Sequence, residues 1–256
     1  MKIAVSGKGG AGKSTISANL VYCLAARNKP VFAVDADPDA NLGLVLGLDP
    51  ERLAQLQPLS ELQEVIAAKN AGGGTMVDLN PDVSDVLEEY TLREGPIHFL
   101  KMGAIKQGGS SCYCKENAFL NAVLTNILLE RPEAVVLDMS AGIEHLTRGT
   151  ARGVEIMLVV VEPTRAGVST ALAVDRLAGD LQVPRVFFIG NKIRTAADRD
   201  YLVSSLPEER IVGMVPFSEA VLERARKIEL QGFKKEDQLP GMKEIFDKLS
   251  GGGNSL

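Results

Sequence analysis

Eight residues, Gly7-Lys8-Gly9-Gly10-Ala11-Gly12-Lys13-Ser14, have the types and spacing to hold a polyphosphate. They fit the pattern G-x-x-x-x-G-K-[ST]. The glycines let the backbone turn tightly and point its N–H groups at phosphate oxygens. Lys13 can reach the β- and γ-phosphates, and the Ser14 hydroxyl can ligate Mg²⁺. Lys8, just after the first glycine, is a second lysine that the pattern does not require. Carboxylates end two apolar runs elsewhere. Val31-Phe32-Ala33-Val34 leads into Asp35-Ala36-Asp37-Pro38-Asp39, and Ala134-Val135-Val136-Leu137 leads into Asp138-Met139-Ser140-Ala141-Gly142. An acid after a hydrophobic strand holds Mg²⁺ directly or through water. The three near position 37 suit Mg²⁺ contacts and water positioning, or form a plain acidic turn.

A second chemistry sits at Gly108-Gly109-Ser110-Ser111-Cys112-Tyr113-Cys114. Cysteines two apart share a face in extended backbone but not in a helix. The glycines and serines before them favour the non-helical form, with a helix expected from about Glu116 to Leu129. Thiols at a helix start have lowered pKa values, which favours the thiolate that metals bind. Two thiolates half-coordinate a tetrahedral ion, and a symmetric dimer would supply the other two. Two small buried residues or a redox pair are the alternatives on spacing alone. Cys23, among apolar neighbours, reads as core.

These groups need elements to position them. Ile3-Ala4-Val5 reads as a buried strand before the glycine loop, and Thr15 to Arg27 as the helix after it. That helix start adds free N–H groups for an anion. Further strands are expected at 97–102, 156–161, 186–189 and 211–215, with one at Thr75 to Leu79. Helices are expected at 41–46, 59–68, 166–182 and 240–249. Pro50 and Pro58 read as breaks. Residues 80–96 read as an acidic, irregular insertion. Strands alternating with helices imply an α/β fold: a mostly parallel twisted sheet with helices on both faces. Residues 1–250 are expected to form a single domain and 251–256 a flexible tail.

The 256 residues carry a net charge of −5, which gives no electrostatic case for nucleic acid. With 45% hydrophobic residues the chain can bury a sizeable core. No apolar run reaches the roughly 18 residues of a membrane span. Three cysteines and a first strand that begins at once point to a reducing, cytoplasmic setting without a secretory signal.

At the motif level the K-G-G-x-G-K-[ST] form resembles the deviant Walker A (SIMIBI) ATPases, the class of MinD, ParA and the nitrogenase iron protein. In that class the early lysine, here Lys8, reaches the nucleotide of the facing subunit in a sandwich dimer. The resemblance makes Asp37 the residue that positions the attacking water. It makes 138–148 a nucleotide-sensing switch, in which His145 is read as a helix-surface residue rather than a catalytic one. Asn191-Lys192 resembles the base-recognition element of P-loop nucleotide hydrolases. Arg194 stands where GTPases carry a carboxylate and offers no acceptor, which argues for adenine. Pro216-Phe217-Ser218 would close over the base.

The order of G-K-G-G-A-G-K-S, D-A-D-P-D, S-S-C-Y-C-K-E-N, D-M-S-A-G-I-E-H-L-T-R and N-K is similar to that of the CooC family, over nearly the whole chain. These are nickel-insertion ATPases serving carbon monoxide dehydrogenase, with relatives serving acetyl-CoA synthase. The resemblance implies ATP and Mg²⁺ at Gly9, Gly10, Ala11, Gly12, Lys13, Ser14, Thr15 and Asp138, with Asn191, Lys192 and Pro216 at the base. It implies a homodimer whose Cys112 and Cys114 share one Ni²⁺ or Zn²⁺, and a nickel-enzyme client, with no nucleic acid and no membrane partner. A MinD- or ParA-like positioning ATPase and an electron-transfer ATPase like the nitrogenase iron protein, whose two cysteines lie far apart in each chain, are the other readings of the same motifs.

Overall fold

The computed structural model describes residues 1–27, 30–69, 81–103, 111–143, 145–225 and 238–251, with backbone alone at 111–114, 224 and 225. The strands are β1 (Lys2–Gly7), β2 (Val31–Ala36), β3 (Leu92–Glu94), β4 (Ile97–Lys101), β5 (Ala134–Met139), β6 (Ile156–Val161), β7 (Val186–Ile193) and β8 (Ile211–Pro216). They form one sheet in the order β3-β4-β2-β5-β1-β6-β7-β8. Every pairing is parallel except β3 with β4. The expected α/β architecture is therefore the observed one.

The helices are α1 (Lys13–Ala25), α2 (Leu42–Val45), α3 (Pro50–Gln55), α4 (Gln63–Lys69), α5 (Ser84–Glu89), α6 (Ser111–Thr125), α7 (Arg148–Ala151), α8 (Arg165–Asp180), α9 (Ala196–Ser205), α10 (Glu219–Ala225) and α11 (Met242–Gly251). Because strand side chains alternate, the central strands feed two cores. Ile3, Val5, Val31, Ala33 and Val136 pack with Ile16 and Leu20 of α1 and with Ile245 and Phe246 of α11. Ala4, Phe32, Val34, Val135 and Leu137 pack with Phe119 and Val123 of α6 and with Val174 of α8. Both faces of the sheet are thereby covered, as a parallel sheet requires.

Three local expectations are corrected. Pro50 opens α3 rather than only breaking a helix: Asp49 accepts the Arg52 N–H at 2.9 Å and Pro50 occupies the first turn, where its missing N–H costs nothing. Residues 81–96 are not irregular. They carry α5 and β3, because Val83, Val86 and Leu87 bury against the core and Leu92 pairs with Phe99. His145 is buried rather than on a helix surface. The strand expected at 75–79 and the tail 252–256 lie outside the described residues.

β1 sits between β5 and β6, and the chain crosses to opposite sides of it. Such a switch point leaves a crevice at the carboxyl ends of the strands, where ligands bind in open α/β sheets. The loops after β1, β2, β5 and β7 all emerge there. Among the described residues no helix is long and apolar enough to cross a membrane.

Candidate nucleotide site

The glycine loop leaves β1 and runs directly into α1. Gly10 and Gly12 take φ values of 81° and 96°, which glycine adopts without strain. Gly12 is the N-cap of α1. A Cβ there would come within 2.3 Å of Asn191 Nδ2, so the position is closed to side chains for a second reason. The Ala11 N–H donates to Lys8 O at 3.0 Å and closes the turn. Ala11 and Lys13 are buried, Ser14 and Thr15 half-buried, and Lys8, Gly9 and Gly10 exposed.

The end of β7 braces this loop. Asn191 Nδ2 donates to Ala11 O at 2.7 Å, and Lys192 Nζ donates to Gly10 O at 2.5 Å. Lys192 also pairs with Glu162 at 2.5 Å. The two residues read from sequence as base-recognition elements are thus engaged with the phosphate loop. Beyond them, the Arg194 guanidinium lies 3.5 Å from the centroid of the Phe217 ring. Phe217 is held by its N–H to Ile193 O at 2.9 Å, next to exposed Pro216 at the end of β8. This cation–π stack joins the residues that immediately follow two different strands, so no spacing rule could have found it.

The carboxylates gather opposite the loop. Asp37 Oδ2 lies 3.1 Å from Lys13 Nζ, with the two side chains 15% and 8% exposed. Its other oxygen accepts the Asp39 N–H at 3.1 Å, while Asp39 itself is exposed. Asp35 and Asp138 are register partners on β2 and β5, and both are fully buried. Asp35 accepts the Leu42 N–H at 2.9 Å and the Asp37 N–H at 3.4 Å, so it pins the turn that presents Asp37. Asp138 Oδ1 accepts from Ser17 Oγ at 3.0 Å. Burial, opposed by the Ser14 and Ser17 hydroxyls and Lys13, lifts the Asp138 pKa to about 6. Burial and the neighbouring Asp138 lift Asp35 to about 7, against the two backbone donors. Asp138 Oδ2 is buried with no hydrogen-bond partner among the described residues. A buried carboxylate beside the Ser14 hydroxyl and Lys13 fits a hydrated Mg²⁺, whose charge would offset its burial.

A profile of the family described as CobQ/CobB/MinD/ParA nucleotide binding domain matches residues 2–230. The chain belongs to this family. It is 38% identical to the carbon monoxide dehydrogenase accessory protein CooC of Rhodospirillum rubrum, over 86% of this chain and 85% of that protein. It is 37% identical to an uncharacterized ATP-binding protein of Methanocaldococcus jannaschii, over 87% of each. Among solved structures, MinD from Aquifex aeolicus superposes with a TM-score of 0.68 at 19% identity, covering 100% of this chain and 98% of that one. A putative plasmid partition protein of Borrelia burgdorferi bound to AMPPNP gives 0.71 at 14%, covering 98% of each. These two likenesses concern the fold alone. A CooC-type member of the MinD/ParA nucleotide-binding family with this loop is an ATPase.

For this ATPase the structure changes the reading of the cysteine pair. The backbone at Cys112 and Cys114 is already helical, in the first turn of α6, rather than extended ahead of it. No proline or glycine separates Ser111 from the helix-forming run that follows, so the helix extends back through the pair. Positions i and i+2 of a helix diverge by about 200° around its axis, unlike the extended backbone expected here. Their side chains lie outside the described ones. Among the described residues no group of three or more His, Cys, Asp or Glu could hold a metal ion.

Proposed function

We propose that the chain is an ATP-dependent maturation factor that drives nickel insertion into carbon monoxide dehydrogenase or acetyl-CoA synthase. The observation that carries this reading is a Cys-x-Cys pair at the start of α6 in a chain 38% identical to an accessory protein of carbon monoxide dehydrogenase. The cargo, Ni²⁺ or Zn²⁺, is held by Cys112 and Cys114 of two chains as a four-thiolate site. The protein works in the cytoplasm, without nucleic acid or membrane as partner.

The chain's own residues divide the work. Backbone N–H groups of Gly9 to Thr15 and the start of α1 bind the phosphates. Lys13 gives up Asp37 for the β- and γ-oxygens, which leaves the Asp37 carboxylate free to orient water. Ser14 and Asp138 would hold Mg²⁺, which when bound supplies charge neutralisation at the phosphate oxygens. Asn191 and Lys192 keep the loop in shape, and Pro216 borders the base beside the Arg194–Phe217 stack. Lys8, exposed, reaches the nucleotide of a second chain in a sandwich dimer.

Metal titration of chelator-treated protein tests the reading. One metal per two chains is expected, lost in Cys112→Ala and in Cys114→Ala and kept in Cys23→Ala. A non-hydrolysable ATP analogue should tighten metal binding by roughly 5–150-fold, the usual range of coupling between two sites. One metal per chain, or affinity indifferent to nucleotide, would contradict it. A chain that dimerises on ATP without any thiolate-bound metal would instead fit a positioning switch of the MinD or ParA kind.

Lys8 has its own test. Lys8→Ala should bind nucleotide as the parent does but lose ATP-driven dimerisation and hydrolysis. Light scattering with and without ATP reads this directly, and normal dimerisation of the variant would remove Lys8 from the interface.

A further inference from the structure

A phosphate loop works through its N–H groups, and those are aimed by what holds its carbonyls. In a trans peptide the C=O and the following N–H point in opposite directions. Asn191 donates to Ala11 O and so turns the Gly12 N–H to the opposite side. Lys192 Nζ donates to Gly10 O at 2.5 Å and in the same way turns the Ala11 N–H into the loop, where it meets Lys8 O at 3.0 Å. Asn191 is buried, but the Lys192 side chain is 40% exposed. An ammonium open to water has little to gain from one carbonyl, and holding a long side chain costs rotamer freedom. Lys192 also stands at φ 61°, which a residue other than glycine keeps only where its surroundings determine it.

The second partner of that ammonium is Glu162, whose Oε1 lies 2.5 Å from the same Nζ. Its backbone is fixed from three sides. It follows β6, whose last residue Val161 pairs with Gly190, just before Asn191. The Thr164 N–H donates to Glu162 O at 2.7 Å, and Thr164 Oγ caps α8 by accepting the Gly167 N–H at 3.0 Å. A Cβ on Gly167 would fall 2.6 Å from Glu162 O, so the start of α8 is packed against this carbonyl. Strand, turn and helix cap thus set the point from which the carboxylate reaches Lys192. A carboxylate beside a polyphosphate site would by itself repel the ligand, and the bond to Lys192 offsets that charge.

We propose that Glu162 is a positioning residue of the ATPase: it holds Lys192 on Gly10 O and thereby keeps the glycine loop in the shape that receives a nucleoside polyphosphate. No motif marks it, because it stands on the neighbouring strand's turn, 30 positions from its lysine. The proposal rests on the nucleotide reading of the loop and not on the identity of the cargo.

The test is equilibrium binding of ADP with Mg²⁺ to Glu162→Ala, Lys192→Met and the double variant. Each single variant should bind roughly 10-fold more weakly, the size of one lost charge-assisted hydrogen bond. The double variant should lose no more than Lys192→Met alone, because Glu162 acts through that ammonium. Glu162→Gln still offers Lys192 an oxygen and should recover part of the loss. If Glu162→Ala folds poorly, Glu162→Met keeps the length of the side chain, removes the acceptor and should show the same effect. Three results overturn the proposal. Unchanged affinity would make the carboxylate a surface partner only. Tighter binding would make it only a charge opposing phosphate. A loss that adds in full to that of Lys192→Met would make it a support of the turn before α8. A parent that binds no ADP would instead overturn the nucleotide reading of the loop, and this proposal with it.

Discussion

Asp37→Asn is expected to slow ATP hydrolysis on the order of 10²-fold or more, while nucleotide binding is kept or tightened. The two halves of this result come from one contact. The Asp37 carboxylate sits 3.1 Å from Lys13 in a mostly buried pair. Phosphate oxygens must take Lys13 away from it. Asparagine keeps the shape and still accepts the Asp39 N–H, but it no longer competes for the lysine. Binding therefore loses an opposing interaction, and hydrolysis loses the charge that orients water. Lys13→Ala should do the reverse, removing nucleotide binding altogether. Phosphate release under saturating ATP, paired with a nucleotide titration, separates the cases. Wild-type turnover in Asp37→Asn would show that the residue does not position water.

The nucleotide-free protein should gain stability as the pH is lowered from about 8 to about 5. Asp35 and Asp138 face each other on adjacent strands, fully buried, with pKa values of about 7 and about 6. Both lie above the ordinary carboxylate value near 4. A carboxyl whose folded pKa is raised stabilises the fold fully below its unfolded value, and that contribution is lost as pH rises through the folded value. The loss therefore falls between about pH 4 and pH 7, on the order of a few kcal/mol for the pair. Asp198 works in the opposite direction at lower pH, since the Arg194 and Thr195 N–H groups hold its pKa down. Its stabilisation is present above the unfolded value and fades only as pH falls through the depressed one.

Asp35→Asn removes the repulsion and retains an acceptor for the Leu42 N–H. It should raise stability at pH 8 by roughly 1–3 kcal/mol and flatten the pH dependence. Denaturant unfolding at pH 5 and pH 8, without nucleotide, measures both. Stability that is flat or rising from pH 5 to pH 8 in the parent would mean that the two acids are not in repulsive contact. The arrangement also explains why two acids persist in a dry site. Their repulsion would be offset in part by the positive charge of an Mg²⁺ held beside Asp138.

Much of the molecule was legible because its signals are local. Unbroken apolar runs marked β1, β2, β5 and β6, since strands buried on both faces have no polar alternation to blur them. The glycine loop was legible because its backbone turn needs particular residue types at fixed spacing. What failed locally did so where tertiary burial outweighed composition. The acidic stretch 81–96 folds because a few apolar residues, Val83, Val86, Leu87 and Leu92, reach the core. The cysteine pair became helical because the helix that follows extends into it, against the expectation from the upstream glycines.

The sequence by itself determined the phosphate loop, the α/β class, the acids that end β2 and β5, and the presence of two thiols one residue apart. Each of these depends on neighbours within a few positions. The tertiary structure decided which distant groups meet. Placing β5 between β2 and β1 sets Asp35 against Asp138. Bringing β7 beside β6 lays Asn191 and Lys192 on the glycine loop. Packing the segment after β5 against α6 buries His145 on Gly103. Strand order and register arise from the whole core closing at once, and no spacing along the chain encodes them.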